Sequence, residues 1–402
     1  MSGPPSASVG FRKVTGLPIF GYGFRTFFLL AGVAALALVG AWIALGFGGG
    51  WRYELSAVGW HAHEMLFGFV AAAIAGFLLT AAPSWTGTPA LSGAPLIALA
   101  GLWLAGRIAS HPQVSASLLC ALVDLAFFPA LAASLAMPLW RAGKWRNIVF
   151  LLLIAALACG NLLMRLEWMG ATADTASAGI TLTVGIVLLM VTVIGGRILP
   201  SFTQNALRRH DPAFAIPARS WLDRAAILVT AAMIPADLTA PGSMAAGGLA
   251  GLAALAHALR LAGWSGLRTL REPLLWVLHL GYAWLSVALA MKAIAIISGA
   301  AAASGWLHAL TVGGFSTMIL AVMTRAALGH TGRELRPSPV TVLAYLSLLV
   351  AAVTRSFAAA LPAGLYDSAI RISAVAWMLA FASFLFVYAP ILTRPRADAQ
   401  PG

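Results

Sequence analysis

The stretch FFLLAGVAALALVGAWIALGF, residues 27–47, contains no charged side chain. A helix needs about 20 predominantly apolar residues to cross the hydrocarbon core of a bilayer. The run therefore predicts a membrane-spanning helix. It is too long for the apolar region of a cleaved signal peptide, which runs to about 7–15 residues.

The whole chain shares this composition. Of 402 residues, 61% are apolar and 9% are charged, whereas soluble domains carry about 25% charged residues. So little polar surface cannot cover a water-soluble particle of this size. A cytosolic enzyme, a disordered chain and a secreted disulfide scaffold are excluded, and a multi-pass membrane protein is left.

Twelve apolar runs of span length predict an all-α transmembrane bundle of about twelve spans. Together they form a single integral-membrane domain over 27–392, flanked by cytoplasmic tails at 1–24 and 393–402. The longest hydrophilic stretch, about 200–221, is predicted to be a loop. The predicted spans are 27–47, 61–82, 94–110, 115–139, 147–166, 177–199, 222–239, 243–262, 273–298, 306–328, 340–361 and 369–392.

The cations predict the orientation. With the N-terminus in the cytoplasm, 19 of the 25 Lys and Arg residues fall on the inner side, Arg12, Lys13 and Lys144 among them. Cytoplasmic loops carry such an excess, so both termini are predicted to be cytoplasmic. The outer loops are predicted to hold Arg52, Arg107, Arg165, Arg355 and Arg371. The net charge of +13 is explained in this way rather than by nucleic-acid binding, since no basic run interleaves with exposed aromatic residues.

Histidines are the natural candidates for chemistry, because ionisable groups inside a bilayer are costly and usually functional or paired. Cys120 and Cys159 form no metal-binding motif. His61, His63 and His308 share a depth near the outer face and come from two helices. Helical bundles build metal and haem sites in this way, and imidazole suits copper, iron and zinc. The alternative is that these side chains lie at headgroup level.

Helical spacing refines this prediction. His61, Glu64 and Met65 stand at i, i+3 and i+4 and should share a face. His63 lies about 200° from His61 at about 100° per residue. Either His61 precedes the first turn, or the two histidines serve different purposes.

A second group lies towards the inner face. His279 and Tyr282 share a face of the ninth span, and His257 has a similar depth. These residues predict either a second site or hydrogen bonds between neighbouring helices.

Several segments together resemble the NnrS family. They are WHAHEMLFG (60–68), GFLLT (76–80), WTG (85–87), GRILPSFTQN (196–205), HALTVG (308–313) and RAALGHTGR (325–333). The resemblance covers nearly the whole chain, with the segments in matching order.

The resemblance implies a multi-pass bacterial inner-membrane protein that contains haem and copper. It also implies a role in denitrification and in protection against nitric oxide, with nitric oxide as a ligand and the lipid bilayer as surroundings. The family's histidines correspond to His61, His63, His308 and His330, with His279 as a further candidate. Its other motif residues are Glu64, Met65, Arg197, Asn205, Arg325 and Arg333.

His330 stands apart from the outer group. It follows His308 by 22 residues, which is about 33 Å along a helix. The two side chains cannot bind one metal ion. A cation at the C-terminus of a helix, favourably placed against the dipole, is the simpler interpretation.

Two other functions stay open. A secondary transporter of a small anion or metal complex could use intramembrane His, Arg and Lys residues, although the two halves show no convincing repeat. A non-catalytic assembly partner is the other, although short loops offer little docking surface. The sequence does not determine whether the protein turns over a substrate, or its oligomeric state.

Overall fold

A computed structural model describes residues 16–143, 145–300 and 304–398. Every regular element within these ranges is helical, which confirms the all-α class. Arg12, Lys13 and Lys144 lie outside the described residues, as does most of the predicted N-terminal tail.

Twelve long helical segments follow the order of the twelve apolar runs. They are α1 Gly23–Phe47, α2 Ala57–Thr86, α3 Ala94–Ala109, α4 Leu118–Arg141, α5 Trp145–Trp168, α6 Thr175–Leu207, α7 Ser220–Thr239, α8 Met244–Ala262, α9 Pro273–Ser298, α10 Trp306–His330, α11 Pro339–Ala360 and α12 Ala363–Thr393.

Ten helices in the described residues are long and apolar enough to cross a membrane. The two others coincide with the third and seventh predicted spans. Helix α3 is a shorter apolar helix, and α7 carries Asp223, Arg224 and Asp237. The count of twelve spans and the cytoplasmic placement of the termini stay predictions.

Several helix boundaries differ from the apolar runs by a few residues, as at the start of α12 (Ala363 rather than 369), and two of the differences have a clear local cause. Helix α2 begins before residue 61 because Ser56 caps it, with its Oγ accepting a hydrogen bond from the Gly59 N–H (3.3 Å). Helix α6 continues to Leu207, so the predicted loop start at 200 is wrong. Leu199, Thr203 and Ala206 are buried and form one packed face of this extension. The mean polarity of the segment does not reveal such a face, because the exposed residues between them are polar.

The first and last helices, α1 and α12, pack against each other. The Trp377 Nε1–H donates to the carbonyl of Ala35 (2.8 Å). The buried Arg25 guanidinium donates to the carbonyls of Leu392 (3.0 Å) and Arg394 (2.7 Å). Carbonyls near the end of α12, which have no partner within their own helix, are satisfied in this way.

Glycine allows α9 and α10 to approach closely. A Cβ atom on Gly313 would lie 2.5 Å from the Trp284 ring, and one on Gly314 would lie 2.7 Å from the Leu285 side chain. Small residues at such contacts let membrane helices pack tightly.

We expect Gly313→Ala to lower the melting temperature of the detergent-solubilised protein, because overpacking costs about 1–3 kcal/mol. Gly248→Ala in α8 is the matched control, since its added Cβ meets nothing within 4 Å. That change should leave stability unchanged or raise it by up to about 1 kcal/mol through helix propensity. Equal melting temperatures for the two variants would contradict the packing described.

Candidate metal centre

His61 and His308 line one cavity of about 180 Å³ between α2 and α10. The structure thus brings together two of the three histidines predicted for the outer site. Helices α1, α6, α11 and α12 complete the walls. The other side chains that line it closely include Trp42, Met65, Phe69, Val184, Phe315, Arg355 and Trp377.

His61 is held by stacking. Its ring lies 4.5 Å from the Trp42 ring, at an interplanar angle of 29°. Its Nδ1 atom is buried and has no hydrogen-bond partner among the described residues. Buried polar groups in proteins are nearly always paired. This unpaired nitrogen is therefore a candidate to bind a metal ion or another group in the cavity.

His308 interacts electrostatically with both His61 and Arg355. Arg355 acts on His61 as well. The predicted outer loop position of Arg355 is wrong, because this residue lies in the last turn of the helix Pro339–Phe357 within α11 and lines the cavity. A positive charge therefore stands beside the two imidazoles.

Met65 lines the cavity with His61, as the i, i+4 spacing predicts. Glu64 does not, although the i, i+3 spacing predicts the same face. Its carboxylate instead accepts a hydrogen bond from Arg107 (2.6 Å) and lies 3.0 Å from His63 Nδ1. These partners hold Glu64 on the side of a buried polar network.

Three π-helical segments border this cavity. They are Trp42–Phe47 in α1, Glu64–Val70 in α2 and Ala309–Ser316 in α10, and each contributes lining residues. Segments of this kind make up well under 1% of residues in soluble proteins and are frequent at functional sites. Their convergence makes this cavity the main candidate for a functional site.

His63 lies elsewhere, in a buried polar network. Its Nδ1 is 3.0 Å from Glu64 Oε1, and its Nε2 is 3.1 Å from Asp124 Oδ2 and 3.0 Å from Asn161 Oδ1. Both ring nitrogens are thus occupied by protein partners. Of the two alternatives left by the spacing, the second applies: His61 and His63 have different surroundings and serve different purposes.

Two arginines complete the network. Arg107 donates to Glu64 Oε1 (2.6 Å) and to Asp124. Arg165 donates through Nε to Asp124 Oδ2 (2.9 Å) and through a terminal nitrogen to Ser110. Both arginines lie in helices, so their predicted outer loop positions are wrong. The residues join α2, α3, α4 and α5.

The sequence analysis missed Asp124, although a signal was present. It is the one charged residue in the apolar run 115–139, and the rule that selects intramembrane histidines applies equally to a carboxylate. Its partners could not be identified, because apolar runs do not show which helices touch.

The inner histidines make separate hydrogen bonds between helices. His257 Nδ1 lies 2.8 Å from the Tyr282 hydroxyl, and its Nε2 lies 3.1 Å from Thr230 Oγ1. His279 Nε2 lies 2.8 Å from Thr203 Oγ1. His257 and Tyr282 are brought together, and His279 pairs with a different helix. Both ring nitrogens of His257 are therefore used in hydrogen bonds between helices, whereas the buried Nδ1 of His279 has no partner among the described residues.

The motif residues not yet described, Arg197, Asn205, Arg325, His330 and Arg333, lie near the C-terminal end of α10 or on the neighbouring helix α6. His330 is the last residue of α10, and it lines a second cavity together with Arg325 and Arg197. Arg333 follows in the turn and donates to the Thr331 carbonyl (3.4 Å), while Asn205 is exposed.

Within the described residues, no group of three or more His, Cys, Asp or Glu side chains is arranged to hold a metal ion. The cavity shared by His61 and His308 instead offers two imidazoles and the Met65 thioether. The fold and this cavity define a multi-pass helical membrane protein with a paired-histidine site.

The sequence model of the NnrS protein matches residues 18–396. The chain belongs to the NnrS family, which confirms the resemblance seen in its motifs. No curated protein matches the chain.

We expect Asp124→Ala to destabilise the bundle strongly. Removing one partner of a buried ionic network costs about 3–5 kcal/mol, because the cations are left unpaired. Thermal unfolding in detergent measures this, with Asp211→Ala as the control, since Asp211 is exposed in a loop. Similar melting temperatures for both variants would contradict a structural role for the network.

Proposed function

We propose that this protein is a haem- and copper-binding protein of the bacterial inner membrane that acts in the response to nitric oxide. Copper would be held by His61 and His308. The observation that carries this proposal is the unpartnered, buried Nδ1 of His61 in the cavity that it shares with His308.

The donor set and the size of the cavity favour copper at this position. Imidazole and soft thioether ligands suit copper, and Met65 supplies the thioether. Pockets for drug-sized ligands measure about 300–1,000 Å³, whereas this cavity measures about 180 Å³. It has room for a metal ion and a diatomic molecule and is too small for a macrocycle.

The surrounding residues prepare the cavity for a small, weakly polar ligand. Apolar walls such as Phe69, Val184 and Phe315 admit a gas from the bilayer and keep water out. The Arg355 guanidinium stabilises negative charge on a molecule bound there, and its field is strong where the dielectric constant is low. Bound copper would supply an open coordination position for nitric oxide.

His63 helps to orient His61 without lining the cavity. It occupies the same helix as His61 and is fixed by Glu64 and Asp124 on the opposite side. Outer residues that orient metal ligands affect metal binding even where they do not touch the ion.

Metal analysis of the purified protein from copper-supplied cells tests the proposal. We expect His61→Ala and His308→Ala each to weaken copper binding by more than the roughly 10–100-fold that loss of an outer-shell partner costs. His63→Ala should lower the melting temperature and weaken copper binding less than either ligand variant does, within the roughly 10–100-fold range of an outer-shell partner.

His210→Ala is the matched control, because His210 is exposed and outside the cavity. The copper spectrum of the native protein should change on addition of nitric oxide. Unchanged copper content in both His61→Ala and His308→Ala would overturn the assignment. A native protein free of copper would also overturn it, and substrate accumulation in vesicles would then test the transport alternative.

A further inference from the structure

The second cavity is larger than the first. It measures about 560 Å³ and lies between α1, α2, α5, α6 and α10. This is within the range of about 300–1,000 Å³ that is typical of sites for small organic molecules. Five aromatic side chains line it, namely Phe28, Phe77, Trp85, Phe150 and Phe202.

Part of this wall is flat. The Trp85 and Phe150 rings stack at 5.2 Å with an interplanar angle of 16°. Aromatic rings favour offset stacking with other planar ring systems, and this pair forms a rigid aromatic part of the wall.

Two guanidinium groups border the same cavity. Arg325 lies over the Phe202 ring at 4.1 Å, and Arg197 makes one long hydrogen bond to Asn147 (3.4 Å). In the part of the chain that the structure describes, neither forms an ion pair with a carboxylate. Glu272, which is ion-paired with Arg209, also acts electrostatically on Arg325, and Arg197 is exposed. Two guanidinium groups at the border of one cavity favour an anionic ligand, since guanidinium forms charge-assisted hydrogen bonds with carboxylates.

His330 supplies a metal-binding group at the edge of the cavity. It ends α10, and its ring packs against Phe24 at 5.4 Å. Its backbone carbonyl accepts a hydrogen bond from Arg396 (3.0 Å), which fixes the residue while leaving the imidazole exposed. Imidazole is a common axial ligand of haem iron.

We infer that this cavity is the haem site of the protein, with His330 as an axial ligand and with Arg197 and Arg325 as partners of the two propionates. The inference rests on the proposed function, which includes haem, and assigns haem and copper to separate cavities. Guanidinium binds carboxylate in a bidentate, charge-assisted manner, and the aromatic wall matches the macrocycle. The conjunction of these three features at one cavity carries the assignment.

The test uses the full-length protein from cells supplied with copper and a haem precursor. Haem and copper are measured per chain in the native protein, in His330→Gly and in the double variant Arg197→Gln/Arg325→Gln. We expect His330→Gly to lose its haem or to show a changed Soret band that added imidazole restores. The double variant should bind haem more weakly by about tenfold for each guanidinium lost. This is the effect expected from removing one hydrogen bond to a charged group.

Two controls separate this inference from the copper proposal. His210→Gly removes an exposed histidine and should change neither cofactor. His61→Ala should lose copper and keep haem, whereas His330→Gly should lose haem and keep copper.

Four results would overturn the inference. They are unchanged haem content and Soret band in His330→Gly, full haem retention in the double arginine variant, a native protein with copper and no haem, and a bound lipid found in place of haem. None of these four removes the copper site. A native protein with haem and no copper would contradict the copper proposal and leave this inference standing.

Discussion

Asp124 places a carboxylate in the second turn of the apolar helix α4, and three other helices are arranged around it. In a bilayer such a charge is tolerated when it is paired, and here the partners come from three other helices: His63 in α2, Arg107 in α3 and Arg165 in α5. Because His63 is anchored on this side, His61 is turned about 200° away at about 100° per residue. The ionic network therefore sets the rotation of α2, and that rotation points His61 into the cavity opposite His308.

The shape of the cavity shared by His61 and His308 follows from π-helical turns in the helices that enclose it. The π-helical segments of α2 and α10 begin immediately after His63 and His308. In α10, the Ser316 hydroxyl donates to the Thr311 carbonyl five residues earlier (2.7 Å), so the side chain satisfies an acceptor that an α-helical ladder would have used. Gly313 in this segment packs against Trp284. A wide turn and a close contact in the same segment keep α10 against α9 while the cavity opens on its other side.

The apolar runs predict all twelve long helices, because burial in lipid imposes the same composition on every span. Helical spacing leaves two explanations for His61 and His63, and the structure selects the one in which both are helical and face different surroundings. The positions of Glu64 and Arg165 do not follow from the sequence. The spacing allows Glu64 to face His61, but its carboxylate pairs with Arg107 and His63 instead. Arg165 lies near the end of an apolar run, where a cation resembles a loop residue until its carboxylate partner is known. Contacts between helices, such as His279 with Thr203 rather than with His257, depend on packing that single-helix periodicity does not contain.

Helix α10 carries His308 at its start and His330 at its end, about 33 Å apart at 1.5 Å per residue. The two cavities differ as their ligands require. The cavity of His61 and His308 is small and is lined by two imidazoles and the guanidinium of Arg355. The cavity of His330 is larger, is lined by aromatic side chains and is bordered by two guanidinium groups. Sites more than about 10 Å apart without shared partners contribute additively to the free energy of the molecule. The two cavities share no lining residue, so each can be filled while the other is not. Helices α1, α2, α6 and α10 contribute residues to both cavities. Coupling between the two sites would therefore run through movement of these shared helices or through electron transfer across the bundle, and not through a common ligand.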